Sequence, residues 1–174
     1  VSLSVTPERA VFLDGLARRF PGLVVKKGPF QQLFPRARLV LNYAERRDLN
    51  FRVFEALACG SCLVTPMVGH GMCDLFTPGE HLFVYDPSDM DGLVALLREL
   101  AADEGKREAV ASAGHAEVER AHRIIHRARS LHDMLEKHDL HQVLRERMAL
   151  GKDIRRNILR PIHLHWAEAL SGTA

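Results

Sequence analysis

The chain has 174 residues, 47% of them hydrophobic and 26% charged. That balance excludes wholesale disorder and is enough for one well-buried domain with an appendage. Its 24 Lys and Arg against 22 Asp and Glu leave a net charge of +2, so no global field marks a nucleic-acid binder and any basic partner site has to be local.

Residues 1–5 read as a first strand. The start at Val1, without a methionine, leads us to expect a fragment of something longer, and Glu8 and Arg9 argue against a signal peptide. Thr6 can cap a helix and Pro7 can open it, with the helix running to about Arg19 and Val11, Phe12, Leu16 and Phe20 as its apolar stripe. After a Pro21-Gly22 turn, residues 23–26 read as a second strand that Gly28-Pro29 ends. Residues 31–34 fit a helical turn, residues 38–42 a third strand, residues 51–59 a helix and residues 62–65 a fourth strand. A loop over 66–73 follows, then a fifth strand over 81–85 and a helix over 90–101 opened by Pro87-Ser88-Asp89. Alternating β and α units with near-continuous apolar strands predict an α/β fold, a parallel sheet flanked by helices. From Gly105 the pattern is only helical, over 106–121, 123–137, 140–150 and a last short helix, with Gly114, Gly151 and Pro161 as punctuation.

No run approaches the roughly 18 to 20 apolar residues of a membrane span. The odd set of three cysteines, Cys59, Cys62 and Cys73, suits free thiols in a reducing compartment, so a cytoplasmic protein is expected. Cys59-Gly-Ser-Cys62 is spelled like a redox or zinc motif, but no second pair completes a zinc site, and small apolar residues are expected at such a corner. His122 and His126 fall four apart on a helix without a glutamate between them, and read as packing or solvated side chains.

The segment NFRVFEALACGSCLVTP, residues 50–66, carries the functional signal. It sets Asn50, Arg52 and Glu55 at the start of an apolar helix between two strands, which is where open α/β sheets bind ligands. A carboxylate there can grip the two hydroxyls of a ribose. Glu55 either pairs with Arg52 three residues earlier or faces a ligand, because a buried carboxylate without a partner is costly. Arg52 can chelate phosphate, while Asn50 either joins it or serves as a plain helix cap. The loop Val68-Gly-His-Gly-Met72 can present bare backbone N–H groups. Arg145, Arg147, Lys152, Arg155, Arg156 and Arg160 make residues 145–160 a basic amphipathic stretch suited to an anionic membrane surface, to another domain, or to solvent.

These pieces, in this order, resemble the C-terminal half of GT-B glycosyltransferases of the group 1 and group 4 type, in particular the CgeB-like branch. The likeness runs through RLVLN, the N-x-R-x-x-E of Asn50, Arg52 and Glu55, EALACGSCLVT, FTPGEHLFVYD and the tail AGHAEVERAHRIIHRARSL, and covers about residues 1–135. It implies a Rossmann-like domain over 1–135 that binds a nucleotide diphosphate sugar, a helical tail over 136–174, and an N-terminal acceptor domain missing from the chain. It places Glu55 at the second glutamate of an E-x7-E pattern, the one that contacts the donor ribose. Arg47 stands where the first glutamate would be, and Glu45 is out of register.

By the same likeness, the Gly71 and Met72 backbone meets the sugar and phosphates, and Arg52 meets the charge that develops on the diphosphate. Phe30 lines the nucleobase edge, Arg9 matches a basic residue of some relatives, and His70 can add a hydrogen bond. The reaction implied is sugar transfer to a hydroxyl, with no cofactor, no metal and the acceptor's base on the missing domain, so that the chain by itself binds nucleotide without turning over sugar. Residues 145–160 would then dock onto the missing half, with peripheral membrane contact as the alternative. A non-catalytic GT-B-like binding or assembly module, favoured by Arg47, is the second reading. A Rossmann oxidoreductase is disfavoured because the first strand ends in Thr6-Pro7 without a glycine-rich turn.

Overall fold

A computed structural model describes residues 6–69 and 71–171, in two compact units, Val1–Arg123 and Ile124–Ala174. The first opens with α1 (Pro7–Arg19), where the Thr6 hydroxyl accepts from the Arg9 N–H at 3.3 Å and Pro7 fills the first helical position, as a capped start requires. There follow α2 (Phe30–Leu33), a 3-10 turn (Phe34–Arg36), β1 (Val40–Leu41), α3 (Phe51–Ala58), β2 (Leu63–Pro66) and α4 (Met72–Leu75). β3 (Phe83–Tyr85), α5 (Met90–Ala102), α6 (Glu104–Glu117) and a π-helical segment (Val118–His122) complete the unit. The strands form a parallel sheet in the order β1-β2-β3, with Val40 opposite Leu63 and Val64 opposite Phe83.

Both faces of the sheet are covered, because successive side chains of a strand point opposite ways. Cys62, Val64, Phe83 and Tyr85 pack with Phe12 and Leu16 of α1 and with Leu93 and Leu97 of α5. Val40, Leu63 and Leu82 pack on the other side with Val53, Ala56 and Leu57 of α3. This two-sided burial is why the strands read as apolar runs rather than alternating ones. At the carboxyl ends of the strands the core turns polar. The Tyr85 hydroxyl donates to the Asn42 carbonyl at 2.9 Å, and Asn42 Nδ2 donates to Thr65 Oγ1 at 3.0 Å. All three residues are buried, so each polar group needs its partner.

Several local expectations change. The first strand lies outside the described residues. Residues 23–26 form no strand, and Val24 and Val25 are 79% and 66% exposed: β-propensity makes a strand only where a neighbour completes the ladder, and none of the described strands pairs with this segment. Val11 is 72% exposed, so the buried stripe of α1 reduces to Phe12 and Leu16, with Phe20 packed alongside. Gly114 does not punctuate a helix; it lies inside α6. A Cβ there would collide with the His81 carbonyl oxygen and stand 2.8 Å from Leu57 Cδ2, so the glycine lets α6 close onto the turn before β3 and onto α3. Arg107, also on α6, is buried and donates to the Leu100 and Ala101 carbonyls at 2.6 and 2.9 Å. It satisfies the end of α5, whose last carbonyls have no partner within the helix.

The second unit comprises α7 (Ile124–Lys137), α8 (Leu140–Ile154), a π-helical segment (Arg155–Leu159) and α9 (Arg160–Ser171). Gly151 and Pro161 do not break it: Gly151 lies within α8, and Pro161 is the second residue of α9, just after the π-segment. A π-segment shifts the helical bonding pattern locally, which lets a proline without an N–H follow it. No residue from 124 to 167 is buried. No helix among the described residues is long and apolar enough to cross a membrane.

Gly114→Ala should overpack the contact of α6 with Leu57 and His81 and lower the stability of the first unit by about 1–3 kcal/mol. Urea unfolding followed by circular dichroism measures it, and an unchanged midpoint would contradict the close approach.

Candidate functional site

The site is built on α3 and on the loops that leave the carboxyl ends of the strands. Asn50 holds an extended backbone, φ −90° and ψ 166°, and its side chain accepts from the Arg52 N–H at 3.1 Å, so it is the helix cap. Val53, Ala56 and Leu57 take the buried face of α3. Arg52 and Glu55 fall on its flank, with Arg52 Nε 3.8 Å from Glu55 Oε2 and the side chains 25% and 30% exposed.

That separation is an ion pair without a hydrogen bond, and Arg52 Nε is buried with no hydrogen-bond partner. The guanidinium lies 5.9 Å from the centroid of the Phe34 ring, which is in turn 5.8 Å from that of Phe30. Asn50, Arg52, Glu55, Phe34 and Phe30 thus form one continuous cluster. Glu55 also reaches the end of its own helix: burial raises the Cys59 thiol above its usual pKa, and the Glu55 carboxylate adds to the effect.

The loop after β2 enters the same neighbourhood through packing. Gly71 has φ 79°, a left-handed conformation that glycine adopts without steric cost. It delivers Met72 into a small buried cluster with Ala44 and Val68, against which Leu49 packs. Leu49 directly precedes the Asn50 cap, so this cluster fixes the start of α4 against the start of α3. His70 lies outside the described residues.

Two cavities open at the carboxyl ends of the strands. One, of about 400 Å³, is lined by Ala44, Arg47, Pro66, Met67, Tyr85 and Asp86 among others, and each of the three strands contributes the residues just beyond it. The other, of about 510 Å³, is lined by Pro7, Glu8, Val11, Phe12, Tyr43 and Pro87, and the two share Pro87. Asn50, Arg52, Glu55, Gly71 and Met72 line neither cavity. Of the remaining sequence-derived candidates, Arg9 stands on α1 with its Nε buried and lacking a hydrogen-bond partner.

Arg47 has φ 52°, a conformation that costs a non-glycine residue on the order of 1–2 kcal/mol. Among the described residues its side chain makes no hydrogen bond or ion pair; it lines the same cavity as Asp86 and its charge acts on that carboxylate. Asp86 Oδ1 accepts from the Ser88 hydroxyl at 2.7 Å and the Ser88 N–H at 2.8 Å. These bonds, the hydroxyl first, hold the Asp86 carboxyl below the usual aspartate pKa, and Arg47 adds a smaller pull in the same direction. Asp86 therefore stays ionised further into acid than a free aspartate. Elsewhere, burial pushes the Cys62 thiol up to about 11, which fits a packing residue rather than a reactive one. His122 packs against Phe54 and Phe76 with ring centroids at 6.0 and 5.0 Å, and its Nε2 lies 3.3 Å from Glu117 Oε1. Among the described residues no group of three His, Cys, Asp or Glu side chains could hold a metal ion.

A family model described as "Glycosyl transferase-like" matches residues 19–133, the stretch that holds the sheet, α3 and both strand-end loops. The chain belongs to this glycosyl transferase-like family. Its fold is shared with two solved structures. The C-terminal domain of a group 1 family glycosyl transferase, LpcC from Francisella tularensis, superposes with a TM-score of 0.53 at 15% identity, over 68% of this chain and 66% of that one. Sucrose-phosphate synthase from Thermosynechococcus elongatus superposes with a TM-score of 0.50 at 21% identity, over 65% of this chain and 30% of that one. The chain therefore matches less than two thirds of either protein. The curated proteins offer no match. What family and fold establish is a GT-B type, Rossmann-like domain.

Within this family member, sequence reasoning had marked Arg47 only as a departure from a pattern and had passed over Phe34 and Asp86. Asp86 carried a readable signal, since it is the first residue after an apolar strand in a parallel sheet. Phe34 carried none, because its neighbour Arg52 is distant in sequence.

Ser88→Ala removes the hydroxyl donor, so the Asp86 titration should move up toward the ordinary aspartate range. Carbon-detected NMR titration reads this shift, and an unmoved midpoint would contradict the assigned cause. Arg47→Gly should relieve the backbone strain and stabilise the fold by up to about 1 kcal/mol, measured as a higher urea midpoint.

Proposed function

We propose that this chain is the donor-binding half of a GT-B glycosyltransferase of the CgeB-like branch, taking a nucleotide diphosphate sugar and passing its sugar to an acceptor held by a separate domain. The observation that carries the reading is the flank of α3, where the Glu55 carboxylate is half-exposed and its cation, Arg52, stands 3.8 Å away with a buried donor still unused. Such a pair is primed for a ligand that supplies both missing partners: hydroxyls that donate to the carboxylate, and phosphate oxygens that accept from the guanidinium. Glu55 would hold the ribose hydroxyls. Arg52 and the Gly71-Met72 backbone would face the diphosphate, stabilising the charge that develops on it as the bond to the sugar breaks. Asn50 supports them by fixing the first turn of the helix, and Phe30 offers an aromatic face for the base at the far side of Phe34. No cofactor or metal enters this reading. The residue that deprotonates the acceptor belongs to the other domain, so this chain alone would bind nucleotide without turnover.

Titration of UDP, GDP and ADP by calorimetry tests the proposal. At least one should bind, and Glu55→Gln, which keeps the shape and removes the charge, should weaken it roughly tenfold or more, the usual cost of a charged hydrogen-bond partner. Absence of binding to all three, with the variant indistinguishable, would sink it.

Arg47 supports a second reading, a non-catalytic module that kept the fold. A cation held in a strained conformation beside the strand-end cavity replaces the acidic residue of the resembling pattern. Sugar-nucleotide turnover by a longer product that includes the acceptor domain, abolished by Glu55→Ala, would decide against this reading.

A further inference from the structure

The second unit presents a surface that neither the fold nor the proposed donor site uses. α8, the π-segment and α9 form a continuous helical run from Leu140 to Ser171. Leu140, Leu144 and Met148, then Ile158, Ile162 and Trp166, recur at four-residue steps and so form apolar stripes. All six are exposed, Trp166 at 63%. Such a run of apolar side chains without cover marks an interaction surface.

Charge identifies what covers it. Six of the chain's 24 Lys and Arg but three of its 22 Asp and Glu fall after Asp139, so the positive excess of the whole protein resides on this helical run. Arg145, Lys152, Arg156 and Arg160 are spaced to lie together on the side away from Leu140 and Leu144. Among the described residues the one ion pair made by these four is Arg145 with Asp139, at 4.0 Å. The neighbouring acids are engaged instead by neutral amides, Glu146 by Gln142 and Asp153 by Asn157. Arg155 donates back to the Gly151 carbonyl at 3.2 Å, keeping its charge along the helix.

A second copy of this surface would set six cations against six, with Glu146 and Asp153 too few to supply the matched opposite charges that flank the seam of a paired coil. An anionic lipid surface answers the charge, the apolar stripe and the terminal tryptophan together, since tryptophan favours the level of the headgroups. We propose that Leu140 to Trp166, roughly 40 Å of helix, lies in the plane of an anionic membrane surface, with its apolar stripes toward the acyl chains and Arg145, Lys152, Arg156 and Arg160 at the headgroups.

Trp166 is the only tryptophan, so its fluorescence reports this helix alone. The intact chain should sediment with vesicles of phosphatidylglycerol and phosphatidylcholine in equal parts, with Trp166 emission shifted to the blue and quenched by brominated lipid. Neither should occur with phosphatidylcholine alone or at high salt. Ile158→Glu with Ile162→Glu, and separately Arg156→Glu with Arg160→Glu, should each weaken binding at least about tenfold, with far-UV circular dichroism confirming that the chain remains helical.

Absence of sedimentation with the anionic vesicles would overturn the proposal. So would binding indifferent to the two isoleucines, or a blue-shifted Trp166 in a lipid-free dimer that vesicles leave unchanged, the mark of a protein partner. Because nucleotide titration is read on α3 and vesicle binding on Trp166, either idea can fail without the other.

Discussion

A chain of two buried hydrogen bonds, from Tyr85 to the Asn42 carbonyl and from Asn42 to Thr65, joins the carboxyl ends of all three strands. The strands themselves are short, two, four and three residues, and short parallel strands hold one another with few ladder bonds. The polar tie compensates at the end where the strands stop and the loops begin. A buried donor or acceptor left alone costs more than a formed hydrogen bond gains, so the three groups fix one another's positions. Every loop that lines the strand-end cavities departs within a few residues of this tie.

The two sides of the sheet divide the labour. On one, α1 and α5 supply a broad apolar cover that needs only bulk and period. On the other, α3 is both cover and the base of the candidate site. Its buried face anchors it through Val53, Ala56 and Leu57, and that anchorage is what allows an incompletely satisfied arginine and a carboxylate to be held on the flank. The cost of holding them is met by packing one helical face away. Gly114 extends the same logic, because α6 closes on Leu57 and on the turn before β3 at a point where no side chain fits.

Much of this was legible in the order of the residues. Thr6-Pro7, Asn50 and Asp89 are helix starts whose side chains accept the backbone donors expected of them, and the apolar runs of β2 and β3 follow from burial on both faces. The Arg52–Glu55 pair was one of two alternatives open for Glu55, and the structure contains it. What was not legible depended on partners. Residues 23–26 have the composition of a strand, but composition cannot supply a neighbouring strand. Gly114, Gly151 and Pro161 looked like breaks because their effect on an isolated helix is known, whereas close packing in one case and a π-segment in another changes the outcome. Phe34 beneath Arg52, and Arg47 and Asp86 on one cavity wall, are products of tertiary placement, and spacing does not reveal them.

The contrast between the two units has a thermodynamic consequence. Val1–Arg123 carries all three apolar clusters, while no residue from 124 to 167 is fully buried. Cooperativity in unfolding comes from a shared core that is lost all at once, and a helical segment without one melts gradually, turn by turn. A single melting temperature therefore describes only the first unit. The helical signal of the second decays across a broad range on its own schedule, and a surface that buried its apolar stripe would sharpen that decay into a transition.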